Sequence, residues 1–148
     1  TVLGLSKLLL GTDNPEEIAL LASKGNESKV DLILEDVVSG PIGQLPPDTT
    51  AVNFGKVTKV KDELTKEDIA AGIVNLVGQT AARIATSVAM MFKADQIVVV
   101  GRTPSFIGLR NSLEQAAALT GFTPHFPDKG EYASALGALL MAEKNPPN

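Results

Sequence analysis

The chain has 148 residues, a net charge of −4, 44% hydrophobic residues, no cysteine and a single histidine, His125. This length suits one domain with a substantial core, which would bury roughly 70% of the surface of the unfolded chain. The composition excludes disulfides, thiolate catalysis and multi-histidine metal centres, and the acidic balance argues against a nucleic-acid or anionic-membrane partner.

Thr1 to Leu5 begin without Met and already inside an apolar pattern, whereas a free terminus is usually polar. The expectation is a later part of a longer chain. Leu3, Leu5, Leu8, Leu9 and Leu10 predict a buried helix over Val2–Leu10, stopped by Gly11. Asn14 suits an N-cap, Pro15 the first helical position, and Glu16 and Glu17 the positive end of the dipole. That helix runs to about Lys24, with Ile18, Leu21 and Ala22 on one face, and Gly25 ends it. Residues 28–38 repeat the plan: Val30, Ile33, Leu34, Val37 and Val38 form an apolar stripe, and Asp31 and Glu35 lie on its polar side.

Residues 39–50 (SGPIGQLPPDTT) hold three prolines and two glycines and read as a loop. Its length marks it as functional or packed on a partner. Residues 51–60 fit either a helical turn or a strand. Thr65 and Asp68 form a variant of the capping box ahead of the longest helix, Lys66–Phe92. Ile69, Ile73, Leu76, Val77, Ile84, Val88 and Met91 recur there at three- and four-residue steps. Small residues cover much of the remaining surface, so this helix should pack on several sides, with Met90 and Met91 in the core.

Residues 97–100 (IVVV) read as a strand buried on both faces, ended by Gly101. A loop over 102–108 leads to a helix over 109–119. Residues 122–126 are a second strand candidate, weakened by Pro124, and right-handed crossover would make the two strands parallel neighbours. A turn at 128–131 precedes a closing helix over 132–142, with Ala135, Leu136, Leu139 and Leu140 inward. Residues 145–148 form a frayed tail. No apolar run is long enough to span a membrane, no signal peptide is visible, and there are no internal repeats.

The unit of strand, glycine turn, loop and helix over 95–118 is the place to look for a ligand. In open α/β sheets ligands bind outside the carboxyl ends of strands, and Gly101 has no Cβ to block an approach. Arg102 stands one step further and could meet an anionic or planar group, or be a solvated loop residue. Arg110 lies in the first turn of its helix, where a cation opposes the dipole and hints at a carboxylate partner. His125 reads as a surface or edge residue sooner than a base, and Gly130-Glu131-Tyr132 as a cap sooner than the lining of a cleft. There is no P-loop, no G-x-G-x-x-G and no H-E-x-x-H.

Several longer stretches carry a family resemblance. They are TVLGLSKLL from Thr1, Lys24-Gly25-Asn26, Val30-Asp31-Leu32, Asp36-Val37, Leu45-Pro46, AVNFGK from Ala51, KEDIA from Lys66, IVVVG from Ile97 and GEYASALGAL from Gly130. In this order and spacing the chain resembles the C-terminal half of type II pantothenate kinases. The resemblance implies an α/β fold, one helix-rich ribonuclease-H-like half of the actin, Hsp70 and sugar kinase superfold, as a single domain over 1–148. It implies phosphorylation of pantothenate by ATP, the first step of coenzyme A synthesis, in a cytoplasmic homodimer with Lys66–Phe92 as the dimer helix.

By the same resemblance, Thr1, Val2, Leu3 and Gly4 continue a glycine-rich segment whose backbone faces the ATP phosphates. Gly101 and Arg102 match the second nucleotide loop, near the adenosine, although Ser or Asn is frequent at the second position. Pro15 stands where an aromatic residue commonly lies beside the nucleotide. Val38 and Ile42 replace two tyrosines that reach pantothenate across the dimer in eukaryotic-like members, so that contact is either lost or purely apolar. The phosphate loop, the catalytic glutamate, the substrate arginine and the Mg²⁺ site all belong upstream of Thr1, so no catalytic or metal residue is expected in this chain and the chain alone is expected to be inactive. The rival expectations are a non-catalytic assembly or regulatory module, and a kinase of the same superfold acting on a sugar or short carboxylic acid.

Overall fold

A computed structural model describes residues 1–40, 42–43, 45–59 and 64–144. Helix α1 spans Val2–Leu10 and stops at Gly11, whose φ of 83° places it in the left-handed region that glycine tolerates. Helix α2 spans Pro15–Lys24. Its Asn14 cap accepts a hydrogen bond from the Glu17 N–H at 2.9 Å, with Pro15 in the first turn. Helix α3, Lys66–Phe92, runs for 27 residues, about 40 Å at the standard rise. Thr65 Oγ1 accepts from the Asp68 N–H at 3.1 Å and donates to the Asp68 carboxylate at 2.8 Å. Asp68 also accepts from the Asn26 N–H at 2.9 Å, which ties the end of α2 to the start of α3.

Helix α3 is the spine. Its first half supplies Ala70, Ile73 and Val74 to a core with Val2, Leu10, Ile18 and Leu109. Further along, Ala82 packs with Leu113 and Ala117 of helix α4, Ile107–Ala118. The two helices touch closely at Gly78, where a Cβ would stand 2.7 Å from Ser112 Cβ and 2.8 Å from the Leu109 carbonyl oxygen. Past that crossing one face of the helix stays covered, at Ala82, Thr86 and Ala89, and the other is bare: Ile84 is 63% and Met91 69% exposed. The expectation that Met90 and Met91 are core residues is corrected, because α4 covers only the opposite face of this part of α3.

Residues 28–38 do not form the expected helix. They contain a 3-10 turn at Glu27–Lys29, strand β1 at Leu32–Ile33 and a second 3-10 turn at Leu34–Asp36. Strand β2, Thr50–Val52, lies antiparallel to β1, with Leu32 opposite Val52 and Ile33 opposite Thr50. The physical reason is Asp31: it is fully buried, not on a polar face, and its hydrogen-bond donors come from distant segments that a helix here could not reach. The ambiguity of residues 51–60 is thus settled for its start, a strand; Val60 lies outside the described residues.

Residues 97–100 are extended, but they are not buried on both faces. Ile97 is buried, while Val98 is 52% and Val100 48% exposed. Among the described residues they pair with one neighbour, through a parallel bridge between Val98 and His125. The Val99 N–H donates to the His125 carbonyl at 2.9 Å and the His125 N–H to the Ile97 carbonyl at 2.8 Å. The parallel pairing is the one expected; the cover on the second face is not there. Helix α5, Ala133–Lys144, likewise buries none of its residues. Leu136, Leu139 and Leu140, expected to point inward, are all half exposed or more. Residues 145–148, expected as a frayed tail, lie outside the described residues. No helix among the described residues is long and apolar enough to cross a membrane.

Candidate functional site

The chain leaves β1 at Ile33 and returns at Thr50, and residues of the excursion between them line an open cavity of about 450 Å³. Leu34, Glu35, Val38, Ile42, Leu45 and Pro47 are among its lining residues. An antiparallel bridge between Ile42 and Leu45 closes its tip, around Gly43 with a φ of 60°. Pro41 and Gln44 lie outside the described residues. Lower down, the Leu34 N–H donates to the Thr49 carbonyl at 2.9 Å and the Glu35 N–H to the Pro47 carbonyl at 3.0 Å. Val38 and Ile42, singled out from the sequence, share this cavity, whose lining is mostly apolar.

At the roots of the excursion, around β1 and β2, sits a buried polar network that sequence reasoning missed; none of its residues lines the cavity itself. One Asp31 oxygen accepts from the Phe54 N–H at 2.7 Å, just beyond β2. The other accepts from Asn75 Nδ2 at 2.8 Å and from Asn53 Nδ2 at 3.2 Å. Thr50 Oγ1, at the start of β2, accepts from Asn75 Nδ2 at 3.3 Å and from Gln79 Nε2 at 2.9 Å. Burial raises the Asp31 pKa above its ordinary value, against the opposing pull of its hydrogen-bond donors and of Lys56. Asp36 lies at the side of this network. It pairs with Lys56 at 2.6 Å and accepts from the Ile33 N–H at 2.9 Å, while Lys56 also donates to the Ser28 carbonyl at 2.9 Å. The Lys56 hydrogen bond, followed by that from Ile33, holds the Asp36 carboxyl below its ordinary pKa.

The sequence did carry a signal for the network. Asp31 is a lone carboxylate between Val30 and Leu32-Ile33, and Asn75 and Gln79 interrupt the apolar first half of α3 at a four-residue step. Such amides on an apolar helix face usually answer a buried acceptor.

A second groove, of about 530 Å³, lies between α2, α3 and the start of α4, lined in part by Ala22, Ser23, Asn75, Phe106 and Asn111. Neither hollow is lined by Thr1, Val2, Leu3, Gly4, Pro15, Gly101 or Arg102. Thr1 caps α1 through its backbone, the side chain of Val2 is in the core, and Leu3 and Gly4 are exposed. Pro15 occupies the first position of α2 and is half-buried. Gly101 is open: its φ is 100°, and nothing lies within 4 Å of where a Cβ would project. Its N–H donates to the Gly130 carbonyl at 3.0 Å, and Arg102 beside it is exposed at the head of a 3-10 turn, Thr103–Ser105.

Arg110 finds its carboxylate within its own helix, in a 3.1 Å pair with Glu114, and lies 4.3 Å above the centre of the Phe126 ring. His125 serves the parallel bridge through its backbone. No group of three or more His, Cys, Asp or Glu residues that could hold a metal ion occurs among the described residues.

A family model described as Fumble matches residues 1–141. The chain is 31% identical over 143 residues to a type II pantothenate kinase of Bacillus cereus, covering 96% of the chain and 52% of that protein. It is 32% identical over 143 residues to the type II pantothenate kinase of Bacillus anthracis, with the same coverage. The type II pantothenate kinase of Staphylococcus epidermidis is 30% identical over 142 residues, covering 93% of the chain and 53% of that protein. The chain spans about half the length of the curated relatives it matches.

Proposed function

The chain belongs to the Fumble family, and from that premise we propose that it forms one half of a kinase that transfers the γ-phosphoryl group of ATP to pantothenate. The observation carrying this reading is the similarity to enzymes named type II pantothenate kinase along 96% of the chain. Phosphoryl transfer depends on alignment and charge neutralisation more than on covalent chemistry. This chain's share is therefore binding surface. The first N–H groups of α1, at Val2, Leu3 and Gly4, have no partner within the helix and suit phosphate oxygens. Gly101 offers bare backbone on which the adenosine would lie, with Arg102 at its edge and Pro15 near the base. The apolar cavity at Val38 and Ile42 would meet the geminal methyl groups of pantothenate across the dimer.

The fold reading goes with this one: a half of the actin-like ATPase type, a single domain, in a cytoplasmic protein. The homodimer forms through the second half of α3, where Ile84, Val88 and Met91 stand exposed in a stripe. Mg²⁺ would accompany ATP, but the described residues lack a donor set for it, and no step is assigned to it through them.

The test is pantothenate-dependent release of ADP from Mg-ATP by the complete protein. The expected result is turnover with pantothenate that sugars and short carboxylic acids do not elicit. Turnover with one of those alone would make it a different kinase of the superfold, and ATP binding without turnover on any would make it a regulatory module. The 148-residue chain by itself should show no turnover.

A further inference from the structure

We propose that Asp31 is a positioning residue that fixes the shape of the cavity at Val38 and Ile42 by clamping both roots of the 34–49 excursion to each other and to α3. The proposal rests on the reading of that cavity as the pantothenate pocket. The excursion has two roots, β1 on the way out and β2 on the way back. The β1–β2 pairing is short, with an irregular register between Leu32 and Ile33. A ladder of this length does not hold a long loop by itself.

The carboxylate of Asp31 adds what the ladder lacks. It stands immediately before β1, yet one oxygen takes the Phe54 N–H beyond β2. The other takes Asn75 of α3, whose amide reaches on to Thr50 at the start of β2. Gln79, one helical turn further along α3, holds the same Thr50 hydroxyl at 2.9 Å. Two roots and the spine of the fold thus meet at one buried acceptor. Phe54 itself has a φ of 57°, a conformation that a side chain other than glycine rarely keeps unless its surroundings hold it. A neutral amide in place of Asp31 would keep the volume, lose charge-assisted hydrogen bonds and present an N–H₂ to other donors.

The experiment uses the complete protein and compares wild type with Asp31→Asn and Thr50→Val. Thr50→Val removes the hydroxyl that Asn75 and Gln79 share while leaving the buried charge in place, so it decides the matter should Asp31→Asn fail to fold. Hydrogen exchange tests the clamp without any assumption about substrate. The bonded amides of Leu34, Glu35 and Thr49 should lose protection in both variants, and those of α3 and α4 should not. Steady-state kinetics tests what the clamp serves. The KM for pantothenate should rise several-fold in Asp31→Asn, through the loosened loop rather than a lost substrate contact, with kcat and the KM for ATP unchanged. Unchanged exchange at Leu34, Glu35 and Thr49 in folded variants overturns the proposal. So does an equal rise in the KM values of both substrates, or a fall in kcat alone. Absence of pantothenate turnover in the wild type would instead sink the functional reading and leave the clamp to be judged by the exchange data.

Discussion

Asp36 and Asp31 respond to pH in opposite senses. The pKa of Asp36 is lowered by Lys56 and the Ile33 N–H, so its contribution to stability is present above the ordinary value of 3.8 and is lost as pH falls through the lowered one. The pKa of Asp31 is raised by burial, so its folded form holds a proton more tightly and stability falls as pH climbs from 3.8 through the raised value. Comparing wild type with Asp36→Asn isolates the first effect. The wild type should melt higher at about pH 7, and the gap should close as the pH is taken below 3.8; a gap independent of pH would mean that the pair with Lys56 is not what Asp36 contributes. At this scale the sequence was least legible. The apolar flanks Val30, Leu32 and Ile33 are all that locally sets Asp31, buried, apart from Glu35, exposed; the donors that answer it, at Asn53, Phe54 and Asn75, are distant in sequence.

Elements with their own punctuation were legible. The boundaries of α1, α2 and α3 follow from Gly11, from Asn14 with Pro15, and from Thr65 with Asp68, all of which act within one turn of the helix they bound. The apolar stripe over 28–38 misled because its period fits a helix, while the hydrogen bonds that decide its form come from the far side of the core. The crossing of α3 with α4 gives a prediction of its own. Gly78 permits an approach that a side chain would block, so Gly78→Val should cost about 1–3 kcal/mol, read as a lower urea midpoint. An unchanged midpoint would mean that α4 shifts freely along α3 and that the contact is not close-packed.

Taken whole, the molecule has a closed end and an open one. The closed end, where α1, α2 and the first half of α3 meet, was readable as amphipathic pattern for α2 and α3, whereas Leu3, Leu8 and Leu9 of α1, expected to be buried, stand exposed. The open end was not, since periodicity tells which residues prefer cover but not whether this chain provides it. Val98, Val100, Leu136 and Ile84 all carry the pattern of buried residues and stand exposed. For α3 the cover proposed is a second copy of the chain. Replacing Ile84 and Met91 together by Asp should convert the complete protein from dimer to monomer in sedimentation velocity, at unchanged helical content. A dimer that survives would place the contact elsewhere.

The bareness of α5 has a different implication. Twelve residues form this helix, and none is buried. A segment of that length seldom persists in water on its backbone bonds alone. Hydrogen exchange is therefore expected to find the amides of α5 less protected than those of the first half of α3, which lies in the core.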